Sequence, residues 1–282
     1  MPAIRWVLVL LLMLSGLWGN ATAADRYFQT SDGVTLHYIE EGSGDRTIIF
    51  IPGWTMPAWI FELQIRYFSK HYHVIALDPR GQGLSQVASS GYDQTRRGYD
   101  IADLIALQGP RPVLLVGWSL GVLDSLAYVH LMGSARLAGL VLIDNSVGEN
   151  PPPRPEPSRR GIPLPRAREM GLFVRSMFAH SPGEDYLDEL TLATLVTPPW
   201  AAKALLSYPV PRTYWRKALY TVTAPILYVV NPHLKGQAAN VALHDPQAEC
   251  VVFTGTGHAL FIDAPDRFNQ TMQSFITDKI WP

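Results

Sequence analysis

Gly117-Trp118-Ser119-Leu120-Gly121 places a serine at the tip of a sharp turn. An apolar run, Val113 to Val116, leads into it, and a helix-like segment from Val122 to Leu131 follows. Strand, turn and helix in that order hold a serine hydroxyl exposed on a strained backbone, with small residues needed two places before and two after it. Gly117 and Gly121 stand at those places. The turn also puts Ser119 at a helix N-terminus, where free N–H groups favour developing negative charge. The chemistry this suits is nucleophilic attack through a covalent intermediate, and a serine hydroxyl needs a base to take its proton. Of the eight histidines, His258 fits that role: it follows an apolar run and sits in Gly255-Thr256-Gly257-His258. His37, His71 and His73 belong to strand-like stretches, His130 falls late in a helix, and His180, His233 and His244 fall in loop-like ones. These seven read as ordinary surface or core residues.

The elements that must position these groups are legible as patterns. Residues 27–40 read as a hairpin, with Asp32-Gly33 as its turn and Val34, Leu36 and Tyr38 alternating with their neighbours. Short apolar runs at 47–51, 73–77, 113–116, 137–143, 225–230 and 249–253 read as strands. Helical spacing appears between several of them, at 57–68, 92–107, 122–131 and 266–276. Strands that lack polar alternation and alternate with helices indicate a parallel sheet covered on both faces. The pattern breaks at 148–165, which is dense in proline and arginine, and four helical stretches follow at 169–178, 184–196, 200–206 and 213–220. Met170, Phe173, Val174, Met177 and Phe178 form an apolar stripe suited to a helix core, to a lid over a pocket, or to both.

The chain has 282 residues, 48% of them hydrophobic, enough for one large core. Its formal charge of −1 comes without a basic block, which argues against a nucleic-acid partner. Cys250 is the single cysteine, so no intrachain disulfide forms, and its apolar neighbours predict a buried residue. Arg5, the apolar stretch Trp6 to Leu14 and the small residues Ala21-Thr22-Ala23 predict a secretory signal peptide over residues 1–23, cut after Ala23. An uncleaved anchor is the alternative. No later segment is long and apolar enough to span a bilayer. The expected location is therefore periplasmic or secreted.

Taken together, these residues resemble the α/β-hydrolase family across about residues 27–280. Four landmarks carry the resemblance in the family's order: Pro52-Gly53-Trp54, the segment Asp78 to Ser85, the elbow at 117–121, and Gly257-His258 before the last helix. The closest flavour is that of small serine esterases and cofactor-free haloperoxidases or perhydrolases. The resemblance implies an α/β fold with an eight-stranded, mostly parallel sheet flanked by helices. It also implies a core at 24–146 and 223–282, with a helical cap at 147–222 inserted after the sixth strand. No cofactor and no metal are implied. It assigns oxyanion-hole N–H groups to Trp54 and Leu120, although Pro52 stands where a histidine is common. The indole of Trp54 then walls the acyl site, and Trp118 does the same or packs beneath the elbow. The segment Asp78 to Ser85 is expected to be structural, with Asp78 and Arg80 holding a loop that Gly81 and Gly83 let turn.

The triad acid is where this chain departs from the family. Most relatives place it after the seventh strand, yet no carboxylate occurs from Asn231 to Leu243. Some relatives place it after the sixth strand, where Asp144 stands, and Asp144 is the expected acid behind His258. Asp245 and Asp263 are the fallbacks, although helix capping accounts better for Asp263. The expected function is an exported serine hydrolase that cleaves a small or moderately apolar carboxylic ester through an acyl-enzyme on Ser119. A perhydrolase or haloperoxidase activity would use the same site. A different class, a pocket-bearing protein without catalysis, rests on the missing acid alone. The oligomeric state is not readable from the sequence.

Overall fold

The computed structural model of the protein describes residues 23–153 and 164–282. The expected leader, Ala23 apart, and most of the proline-rich stretch lie outside the described residues. The strands are β1 (Ala24–Gln29), β2 (Thr35–Glu41), β3 (Thr47–Ile51), β4 (His73–Asp78), β5 (Val113–Trp118), β6 (Leu137–Ile143), β7 (Ile226–Val230) and β8 (Glu249–Val252). They form a single eight-stranded sheet in the order β1-β2-β4-β3-β5-β6-β7-β8. β1 and β2 run antiparallel to their neighbours, and every pairing from β4 to β8 is parallel.

The strand sequences explain this arrangement. All five residues of β3 and of β7 and all six of β5 are buried. Successive side chains point to opposite faces of a sheet, so both faces of this one must be covered. Ile49, Leu115, Leu142 and Tyr228 face one apolar layer, while Phe50, Val116, Val141 and Val229 face the other. The first layer is closed by α2 (Gln94–Leu107) and α3 (Leu120–Met132). The second is closed by α1 (Glu62–Phe68) and α10 (Pro265–Phe275). Every residue of α3 from Leu120 to Val129 is buried, as expected of a helix wedged between the sheet and its neighbours.

Among the described residues, four helices stand between β6 and β7: α4 (Arg166–Ser176), α5 (Glu184–Val196), α6 (Pro199–Leu205) and α7 (Arg212–Leu219). Two further helices were not legible in the sequence, α8 (Lys235–His244) and α9 (Leu260–Asp263). α8 buries only Ala238 and Val241 among its apolar residues and carries Gly236 in its first turn, so its period is faint. His244 accordingly ends a helix rather than lying in a loop. Among the described residues no helix is long and apolar enough to cross a membrane.

The segment Asp78 to Ser85 is a buried brace. The Asp78 carboxylate accepts the N–H groups of Ala58 at 2.5 Å and Leu84 at 2.8 Å, and it meets His37 Nδ1 at 2.7 Å. Gly83 (φ 51°) packs against it so closely that a Cβ there would lie 2.1 Å from the carboxylate. Arg80 donates to both oxygens of Asp100, at 3.0 and 2.8 Å, and to Asp32 in the β1–β2 turn at 2.9 Å. Burial pushes the Asp32 carboxyl up, but the hydrogen bonds and charge of Arg80, with the Thr30 hydroxyl, outweigh it and hold the pKa at about 2. A folded value below the ordinary one stabilises the fold above about pH 4 and loses that contribution as the pH falls toward 2. Thermal melts across that window are expected to show a steeper fall for the wild type than for Asp32→Asn. Equal slopes would remove this pair from acid unfolding.

Candidate active site

The elbow is built from close backbone approaches. Ser119 has φ 54° and ψ −120°, a strained conformation for a residue with a Cβ. A Cβ on Gly117 would lie 2.4 Å from the carbonyl oxygen of Gly121. One on Gly121 would lie 2.2 Å from that of Ile51, at the end of the neighbouring strand β3. The turn therefore requires glycine at both places. Trp118 is fully buried between its glycine and its serine, and its Nε1–H donates to the carbonyl of His258 at 2.9 Å. It packs beneath the elbow and ties the histidine loop to it.

His258 Nε2 lies 2.8 Å from Ser119 Oγ, and Nδ1 lies 2.8 Å from Asp144 Oδ2. An ionised carboxylate only accepts, so Nδ1 carries the proton and Nε2 is free to accept the serine hydroxyl. Asp144 follows β6, is 1% exposed, and has φ 47°. Its N–H donates to the carbonyl of Val229 on the next strand at 2.8 Å. Asn231, at the end of β7, grips the carboxylate: its backbone N–H donates to Oδ1 at 2.8 Å and its Nδ2 to Oδ2 at 3.1 Å. The residue that follows β7 is thus an amide that orients a carboxylate from the end of the neighbouring strand.

Neither fallback carboxylate takes part in this chain of contacts. Asp263 accepts the N–H groups of Gly257 at 2.7 Å, Ala179 at 2.9 Å and His180 at 3.1 Å. It therefore staples the histidine loop to the segment after α4, and it does not cap α10 as expected, since the residue before that helix makes no side-chain cap. Asp245 accepts the N–H of Gln247 at 3.1 Å and lines a separate cavity with Glu149, Arg216 and Tyr220.

Trp54 and Leu120 flank the serine. A Cβ on Gly53 would lie 2.9 Å from Ser119 Cβ, which places the turn bearing Trp54 directly against the serine. Among the described residues neither the Trp54 nor the Leu120 N–H has an acceptor. The indole of Trp54 donates to the carbonyl of Ala202 on α6 at 2.7 Å and packs edge-on against Phe173, with ring centroids 5.1 Å apart. Asn145 Nδ2 donates to the Ser119 carbonyl at 2.7 Å, a support for the elbow that the sequence did not reveal.

His258 and Trp54 open into a cavity of about 1230 Å³. Met170, Phe173, Met177 and Leu234 line it with apolar surface, and Arg166 and Lys203 add charge. The stripe on α4 divides between the core and the cavity. Val174 turns inward to the core, Phe173 lines the cavity, and Met170 and Met177 are buried yet line it as well. Cys250 is half-buried in β8, and burial pushes its thiol up to about 11, so it is not a ready nucleophile.

A sheet of this topology, with a strained serine after its fifth strand and a histidine after its eighth, defines a class. Residues 48–271 match the alpha/beta hydrolase family, and the chain belongs to that family. Over 141 residues it is 34% identical to a non-heme haloperoxidase of Rhodococcus erythropolis, a match that spans 49% of this chain and 50% of the relative. The chain thus spans about half the length of that curated relative. A pimeloyl-[acyl-carrier protein] methyl ester esterase of Sodalis glossinidius is 28% identical over 86% of this chain and 98% of its own. Among solved structures, the bromoperoxidase of Bacillus anthracis superposes with a TM-score of 0.76 at 19% identity, covering 90% of this chain and 100% of the other. That likeness speaks for the fold.

Proposed function

We propose that the protein is a serine hydrolase that cleaves carboxylic esters. The observation that carries this reading is the unbroken sequence of contacts from Ser119 Oγ through His258 to Asp144, at 2.8 Å on each side of the imidazole. His258 takes the hydroxyl proton as Ser119 attacks the acyl carbon, and Asp144 stabilises the imidazolium that forms. The N–H groups of Trp54 and Leu120 receive the developing oxyanion. The tetrahedral intermediate collapses as His258 returns the proton to the leaving alcohol. Water, activated by the same histidine, then releases the acid and restores Ser119.

The cavity's apolar wall favours a small or moderately apolar ester. Names among the relatives support ester chemistry, including a bifunctional esterase/perhydrolase of Acinetobacter calcoaceticus. Hydrogen peroxide in place of water at the second step would yield a peracid from the same acyl-enzyme, so a perhydrolase side activity belongs to this site. The non-catalytic alternative drew on the absence of an acid after β7, and Asp144 supplies a carboxylate from β6. The residue pattern at 5–23 supports export to the periplasm or medium with the leader removed. One experiment tests both parts: a fluorophosphonate probe is applied to extracellular and periplasmic fractions of an expressing bacterium, and the intact mass is measured. The expected species lacks residues 1–23 and carries one adduct, located on Ser119 by peptide mapping. An unlabelled protein would favour binding over catalysis, and a full-length cytoplasmic one would reject export.

A further inference from the structure

Gln82 takes no part in the reaction just described, yet it is 1% exposed and directs its whole carboxamide at one turn. Its Oε1 accepts the N–H of Thr55 at 2.6 Å. Its Nε2 donates to the carbonyls of Gly53 at 3.2 Å and Met56 at 3.3 Å. That turn is closed by the Met56 N–H on the Gly53 carbonyl at 3.2 Å, and Trp54 sits inside it. Thr55 has φ 60° and is fully buried. A β-branched residue rarely adopts that left-handed conformation, and it persists only where its surroundings hold it. The Thr55 hydroxyl on the Trp54 carbonyl, at 2.7 Å, is a local contact and does not tie the turn to the rest of the fold.

We propose that Gln82 is a positioning residue for the oxyanion hole. It holds the peptides on both sides of Trp54, through the Gly53 carbonyl and the Thr55 N–H, and the first of these peptides carries the Trp54 N–H beside Ser119. This rests on the hydrolase reading above. The side-chain chemistry is specific. A carboxamide offers one acceptor and two donors in a plane, which matches one N–H and two carbonyls. A carboxylate in its place would face two carbonyl oxygens without a proton to offer them, and a thioether would offer no donor. The brace reaches the site from a part of the chain that otherwise serves as scaffold, since Gln82 lies between Arg80 and Gly83, which packs against the Asp78 carboxylate.

The test compares wild type with Gln82→Met and Gln82→Glu, using the full chain, hydrolysis of a short aryl ester, and inhibition by an arylboronic acid. The boronate forms a tetrahedral adduct on the serine and reports on the oxyanion hole directly. Expected is a loss of about tenfold to a hundredfold in kcat, below or near the cost of deleting one oxyanion donor. Boronate affinity is expected to fall by a similar factor, with KM within about twofold. Unchanged kcat in both variants would overturn the proposal. So would a loss of kcat with boronate affinity intact, or failure of both variants to fold, since either makes Gln82 a general structural residue. A wild type that neither hydrolyses the ester nor binds the boronate would sink the hydrolase reading instead, so the two failures are distinguishable.

Discussion

Ser119→Ala is expected to lower ester hydrolysis by at least about 10⁴-fold, to the background left by binding and the oxyanion hole. The melting temperature should stay close to that of the wild type. Alanine keeps the Cβ that packs against Gly53, and it neither relieves nor adds to the strain at φ 54°. Among the described residues the hydroxyl's one side-chain partner is His258, at 2.8 Å, and the partly exposed imidazole, still held by Asp144, can meet solvent when that partner is gone. Loss of activity with an unchanged melt therefore separates chemistry from folding. Retained turnover of aryl esters in this variant would reject Ser119 as the nucleophile.

Asp144→Asn is expected to cost about 10⁴-fold in kcat with little change in KM. An asparagine fits the same space, but its amide can present an N–H to the imidazole. The histidine would then be held with Nε2 protonated, the wrong tautomer for accepting the Ser119 proton. Asn231 sharpens the effect. Its backbone N–H donates to Oδ1 at 2.8 Å and would keep an oxygen there, which leaves the amide nitrogen at the position that faces His258. Steady-state kinetics of the purified variant, beside the same substitution at Asp245 and Asp263, checks the assignment. Full activity in Asp144→Asn would move the acid elsewhere. A loss confined to Asp263→Asn would point to the staple on Gly257 as the decisive contact.

The residues that were legible share one property: their signal is local. Gly117, Ser119 and Gly121 announce themselves within five positions because a backbone turn dictates all three at once. The apolar strands β3, β5, β6 and β7 are legible because burial on both faces removes polar alternation. Asp144 was reachable only through the resemblance, which offers the end of the sixth strand as a second place for an acid where no carboxylate occurs between Asn231 and Leu243. The supports of the site were not legible. Gln82, Asn145 and Asp263 act on backbone groups brought close by the fold, and backbone N–H and C=O groups leave no mark in a sequence, while Asn231 acts on the carboxylate of Asp144, far from it along the chain. Asp263 is instructive, since an aspartate ahead of Ala264-Pro265 looks like a helix cap, while its oxygens instead bind three N–H groups from two other segments.

That staple has a consequence for anyone who would exchange the helices between β6 and β7 for those of a relative. The carbonyl of Met177 accepts the N–H of Ala259 at 2.9 Å, on the residue next to His258. Gly257 lies so close to the same carbonyl that a Cβ would stand 2.5 Å from it. With Asp263 on Ala179 and His180, the far end of α4 is interlocked with the loop that bears His258. The inserted helices are thus not a detachable module. A graft that changes substrate preference must reproduce the backbone path from Met177 to His180, or it will move the imidazole along with the pocket wall.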